Sequence, residues 1–160
     1  MSGLISSARH RIKIAPMVIT SHTILSALDD AVRHAQVKEF GGTYNATQMN
    51  RTVALWMKSE NNAGVAETFK SVASYLAGKH SAPYEPTEKH NFLHNKVVVC
   101  DDAVVTGSFN FSRNATMNAE NVLVIHDATI ANQYSQHIDQ LIEVYGQPTK
   151  KSSGKPNKSK

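Results

Sequence analysis

The 160-residue sequence has one cysteine, one tryptophan and no apolar stretch of bilayer length. A single thiol, Cys100, excludes an internal disulfide. It ends the run Val97-Val98-Val99 and reads as a small buried apolar residue. Without some 20 consecutive apolar residues, no segment is expected to cross a membrane. No charged-then-apolar leader opens the chain, and with the cysteine count this points to the cytoplasm. Five Asn-x-Ser/Thr tripeptides begin at Asn45, Asn50, Asn110, Asn114 and Asn157. Without a secretory context they are read as chance. No internal repeat is visible, and the length suits one domain with a genuine core.

Acidic residues are missing from one region only. The formal net charge is +4, but residues 146–160 hold five of the 17 basic residues (Lys150, Lys151, Lys155, Lys158, Lys160) and none of the 13 acidic ones. That leaves 12 basic residues against 13 acidic in residues 1–145, a nearly neutral body. The reading is therefore a folded domain over 1–145 and a Lys-rich tail over 146–160, expected to be disordered. The tail's charge suits anionic surfaces, lipid or nucleic acid. A plain solubilising terminus is the favoured reading.

Residues 11–19 alternate as a strand, with Pro16 expected near a sheet edge or at an early end. Ser21 is placed to cap a helix whose stripe is Ile24, Leu28, Ala31, Val32 and Ala35. A short strand is expected over 37–44, then helix over 48–76 with a break at 61–64. Pro83 and Pro86 mark a loop. Strands are expected over 92–100, 103–109 and 121–125. Asp127 caps a last helix, with Ile130, Tyr134, Ile138, Leu141, Ile142 and Tyr145 inward. The fold class is α/β, a mixed sheet covered by helices.

Chemistry concentrates in His94-Asn95-Lys96-Val97-Val98-Val99-Cys100-Asp101, followed by Gly107-Ser108-Phe109-Asn110. On a strand, His94 and Lys96 share one face, and so do Ser108 and Asn110. One sheet edge then presents a nucleophile or base, a permanent cation and two hydrogen-bond donors, a set suited to a phosphodiester monoanion. This HxKx4D…GSxN pattern resembles the catalytic motif of the phospholipase D superfamily. The resemblance extends to Gly78-Lys79-His80-Ser81-Ala82-Pro83-Tyr84 and to Asn118-Ala119-Glu120-Asn121. It also takes in Ile14-Ala15-Pro16, Ile19-Thr20-Ser21 and Tyr44-Asn45-Ala46-Thr47-Gln48-Met49, which are similar to the opening of the C-terminal half of bacterial two-motif members. It covers about residues 10 to 145.

The resemblance implies a catalytic set of His94, Lys96, Asp101 and Glu120. His94 would form a covalent phosphohistidine, Lys96 would hold non-bridging oxygens, and Glu120 would orient the imidazole. Asp101 belongs to the motif, but alternation puts it on the face opposite His94, so its expected role is structural. Ser108, Asn110 and Lys79 are the expected phosphate-binding residues; for Lys79 and its neighbour His80 a solvated loop is an equal reading. Tyr44, Gln48 and Met49 read as core or dimer contact. His90 and His94 are four apart, but in a loop entering a strand, with no third ligand. No metal or other cofactor is expected.

The family builds one active site from two such motifs, and this chain carries one. His10, His22, His34, His126 and His137 lack a second HxK context. The resemblance therefore implies a homodimer, or a second motif-bearing half. The leading expectation is a metal-independent phosphodiesterase acting by hydrolysis or transfer, with phospholipid head groups favoured as substrate. An endonuclease with the same chemistry and a non-catalytic phosphate-binding half-domain stand as alternatives.

Overall fold

The computed structural model describes residues 1–82, 85–87, 89–146, 148 and 150. Most of the Lys-rich tail, Gln147, Thr149 and 151–160, lies outside the described residues, as do Pro83 and Tyr84 of the motif-flanking loop. Six strands, β1 (Arg11–Pro16), β2 (Glu39–Asn45), β3 (Leu76–Lys79), β4 (Lys96–Cys100), β5 (Ala103–Gly107) and β6 (Val122–His126), form one mixed sheet. Its order is β3-β2-β1-β4-β5-β6. β1, β2 and β3 are parallel, while β4, β5 and β6 add in antiparallel fashion.

Among the described residues five α-helices accompany it: α1 (Ser2–Ser7), α2 (His22–Arg33), α3 (Ala46–Trp56), α4 (Ala63–Ala73) and α5 (Ala128–Tyr145). Ile12, Ile14, Val98 and Val105 face a core completed by Ile24, Leu25, Leu28, Phe69 and Val72 of α2 and α4. Ala15, Val97, Val99 and Val104 face the other way, against Ala131, Ile138 and Ile142 of α5. Period-two alternation in the strands thus feeds two separate cores, one on each side of the sheet.

The expected helices and strands are present, with shifts that matter for the site. Pro16 does end β1, but β1 lies inside the sheet between β2 and β4. A proline is tolerated there because it is the last paired residue. The strand expected over 92–100 starts only at Lys96, opposite Pro16. Proline offers no N–H, and the next contact, Met17 N–H to the Asn95 carbonyl at 2.9 Å, closes the ladder. His94 therefore lies in the segment leading into β4, and its placement does not follow from strand alternation. β5 likewise stops at Gly107, so Ser108 and Asn110 stand beyond the strand. Ser21 precedes α2 without a side-chain cap bond, whereas Asp127 caps α5 through Ile130 N–H at 2.9 Å. Neither α1 nor β3 was expected: at six and four residues each is too short to show a period, although Ile5 is fully buried. The helix expected over 48–76 is two helices, and the break between them falls at 57–62 rather than 61–64.

Candidate active site

The start of β4, the end of β5 and the start of β6 meet at one end of the sheet. Lys96 is half-buried and its ammonium donates to the His94 carbonyl at 3.0 Å. His94 is exposed, and its ring takes no hydrogen bond among the described residues. Partial burial, then the nearby Lys96 charge, lowers the His94 pKa. The imidazole is therefore neutral near pH 7, with a lone pair free to act as nucleophile. Burial also lowers the Lys96 pKa, and the Glu120 carboxylate works against that shift.

Behind them, Ser108 and Asn121 are knitted together. Ser108 N–H donates to the Asn121 side-chain oxygen at 2.7 Å, and Asn121 N–H donates to Ser108 Oγ at 3.0 Å. Gly107 makes this possible. Its φ is +144°, and a Cβ there would lie 2.2 Å from the Asn121 carbonyl oxygen. Only glycine lets the two backbones come so close. Ser108 Oγ donates to Glu120, which also accepts from Asn118 at 3.4 Å. Asn110 follows, half-buried, its side-chain oxygen buried with no partner among the described residues.

A cavity of about 300 Å³ opens on this end, lined by His94, Asn95, Lys96, Thr106, Tyr134 and His137. A larger one of about 490 Å³ lies under α5, around Lys13, Lys38, Asp139 and Glu143. It holds no motif residue, and Lys13 is bound to Asp139 at 2.7 Å. The smaller cavity is the one that joins the motif residues His94 and Lys96.

The family model described as "Cardiolipin synthase, PLD-like domain" matches residues 1–142. The chain belongs to the phospholipase D superfamily. Its fold is that of a phospholipase D family member, Nuc from Salmonella typhimurium, at a TM-score of 0.61 and 22% identity over 95% of this chain and 88% of that one. NucT from Helicobacter pylori gives the same TM-score and identity over 89% and 84% of the two chains. Among curated proteins, "Phospholipase D" of Rickettsia bellii is 54% identical over 46 residues, which is 28% of this chain and 23% of that protein. "Phospholipase D" of Rickettsia felis is 50% identical over the same length. The matched stretch thus spans less than a quarter of these relatives.

Within this domain of the phospholipase D superfamily, His94, Lys96, Ser108 and Glu120 come together. Glu120 is not joined to the His94 ring by a hydrogen bond among the described residues; its carboxylate is taken by Ser108 and Asn118, and its charge acts on Lys96. Asp101 is not brought to the site. It sits beyond Cys100, about 17 Å of strand from Lys96, in the two-residue turn between β4 and β5. There its carboxylate accepts from Arg9, His10 and Arg11 N–H at 2.8, 2.8 and 3.0 Å. Burial alone would raise its pKa, but the N–H groups of Arg11, Arg9 and His10 hold it below the usual carboxylate range. Lys79 also stands apart from the cavity: its ammonium is held by the Asn91 carbonyl and lies 5.4 Å from the Tyr145 ring centroid.

Sequence reasoning missed Asn121, Tyr134 and His137. Tyr134 fell on the apolar stripe of α5, and His137 lacked a motif. Only the diagonal course of α5 across the sheet brings them to the cavity. His90 stacks on Phe92 at 5.0 Å, and among the described residues no three His, Cys, Asp or Glu side chains gather as a metal site.

Proposed function

We propose that this protein is a metal-independent phosphodiesterase of phospholipase D type. A neutral His94 nitrogen attacks phosphorus, and the bond to the leaving oxygen breaks as that oxygen gains a proton. Water, or an alcohol in transfer, then displaces the histidine from the covalent phosphohistidine. Lys96 neutralises the non-bridging oxygens. Ser108, held by Glu120 and Asn121, and Asn110 supply further phosphate contacts. The observation that carries the reading is the opening of His94 and Lys96 into one cavity, with the His94 pKa lowered.

The leaving oxygen needs an acid, worth about 100- to 10,000-fold in such reactions. A second motif would supply it, from a twofold-related copy or from another half of a longer protein. Phospholipid head groups are the favoured substrate class. The nearly neutral body supports this, as does the short match to proteins described as phospholipase D.

The test is release of a chromogenic alcohol from a phosphodiester in EDTA, across a wide range of protein concentration, beside His94→Ala. Activity lost in the variant supports the His94 mechanism, and activity retained would sink it. Head-group release from phosphatidylcholine vesicles, against cleavage of DNA, decides the substrate class.

A further inference from the structure

We infer that the Lys79–Ala82 segment is a clasp that positions His94, with Asn91 and Lys79 as positioning residues rather than phosphate ligands. The inference rests on the reading of His94 as the nucleophile. Standing outside β4, His94 has among the described residues neither a ladder partner nor a ring hydrogen bond to fix it, yet an in-line attack tolerates little misplacement. Its segment is instead held on both sides. After it, the Asn95 carbonyl accepts from Met17 N–H at 2.9 Å. Before it, Asn91 is gripped twice: its carbonyl takes the Lys79 ammonium, and its side-chain oxygen takes Ala82 N–H at 3.0 Å. Leu93, next to His94, is buried in the body of the domain.

The clasp is anchored in turn. Ser81 N–H donates to Thr47 Oγ1 at 3.0 Å, Thr47 Oγ1 donates to the Ser81 carbonyl at 2.9 Å, and Ser81 Oγ donates to Asn45 Oδ1 at 3.2 Å. Asn45 is fully buried, caps α3 through Gln48 N–H, and donates its own N–H to the Met17 carbonyl at 3.2 Å. The path from Asn91 through Ala82, Ser81, Asn45 and Met17 to Asn95 is thus a closed ring, with His94 on its rim. The Lys79 cation, over Tyr145, ties the ring to α5. A lysine so engaged, away from the cavity that holds Lys96, braces the loop.

The experiment compares the full chain with Asn91→Ala, Asn91→Asp, Lys79→Met and His94→Ala. It reads kcat and KM on a chromogenic phosphodiester, inhibition by inorganic phosphate, and amide hydrogen exchange at Ala82, whose N–H is bound to Asn91. Asn91→Ala and Lys79→Met should each lower kcat about 10- to 100-fold, with KM and phosphate inhibition little changed. Exchange at Ala82 should rise up to about tenfold in Asn91→Ala, the loss of one hydrogen bond. Asn91→Asp keeps the side-chain acceptor and should restore both readouts. A raised KM and weakened phosphate inhibition in Lys79→Met, with Asn91→Ala like the parent, would overturn the clasp. So would unchanged exchange at Ala82 in Asn91→Ala. Exchange is read without turnover, so a His94→Ala variant as active as the parent would refute the nucleophile and leave the clasp to be judged on exchange alone.

Discussion

Gly107 carries the tightest steric demand near the site. An alanine there would push its Cβ into the Asn121 carbonyl, and Ser108 would leave its partners. Gly107→Ala is expected to cost about 1–3 kcal/mol in urea unfolding and to lower turnover through the displaced Ser108. Asp101 acts on stability, far from the chemistry. Asp101→Ala leaves three N–H donors without their acceptor, at a cost of about 1–3 kcal/mol. Asp101→Asn should recover part of this, since it keeps an oxygen and tolerates the φ of +51°. The folded pKa of Asp101 is lowered, so its stabilisation is fully present above the unfolded value of about 3.9. It fades as pH falls through the lower folded value, and unfolding as a function of pH should show that loss weakened in Asp101→Asn. For His94 the lowered pKa places the acid limb of kcat/KM below the ordinary histidine value of about 6.5. Lys96→Met removes one of the two causes and should move the His94 titration upward by NMR, with the burial contribution left in place.

Among the elements, α5 does two tasks. Ile138 and Ile142 close the core over Val97, Val99 and Val104, while Tyr134 and His137 reach the site cavity. Ile138 is fully buried, so Ile138→Ala is expected to destabilise by about 2–5 kcal/mol in denaturant unfolding. His137 is exposed, and His137→Gln should leave that midpoint unchanged. A helix that both seals a core and lines a cavity is thereby separable by substitution. β4 shows the limit of reading elements from pattern. Its apolar run was plain, but its first residue was set by a neighbour in the sheet, Pro16, that is 80 residues away in sequence.

Over the whole molecule, the sheet changes character at β1. On one side lies a parallel half, β1 to β3, and on the other an antiparallel half that carries the motif. β6 ends the sheet, with Val122, Leu123 and Val124 about half exposed. No helix among the described residues is long and apolar enough to cross a membrane. If the second motif comes from another copy, specific activity rises with protein concentration to a plateau, and sedimentation equilibrium shows a dimer over the same range. A flat activity from a sedimenting monomer would assign the missing acid elsewhere.

Sequence by itself determined the two-sided strands, the helical stripes and the family, because these are local. Strand alternation, helix period and the spacing from His94 to Asn110 all lie within short stretches of chain. The tertiary structure alone decided which motif residues meet. Asp101 met the N–H groups of Arg9, His10 and Arg11 because β1 and β4 pair antiparallel. Ser108 met Glu120 because β5 and β6 pair in register at Gly107 and Val122. Asn91 met Ala82, and His137 reached the cavity, because loop closure and helix crossing join residues that no local pattern connects.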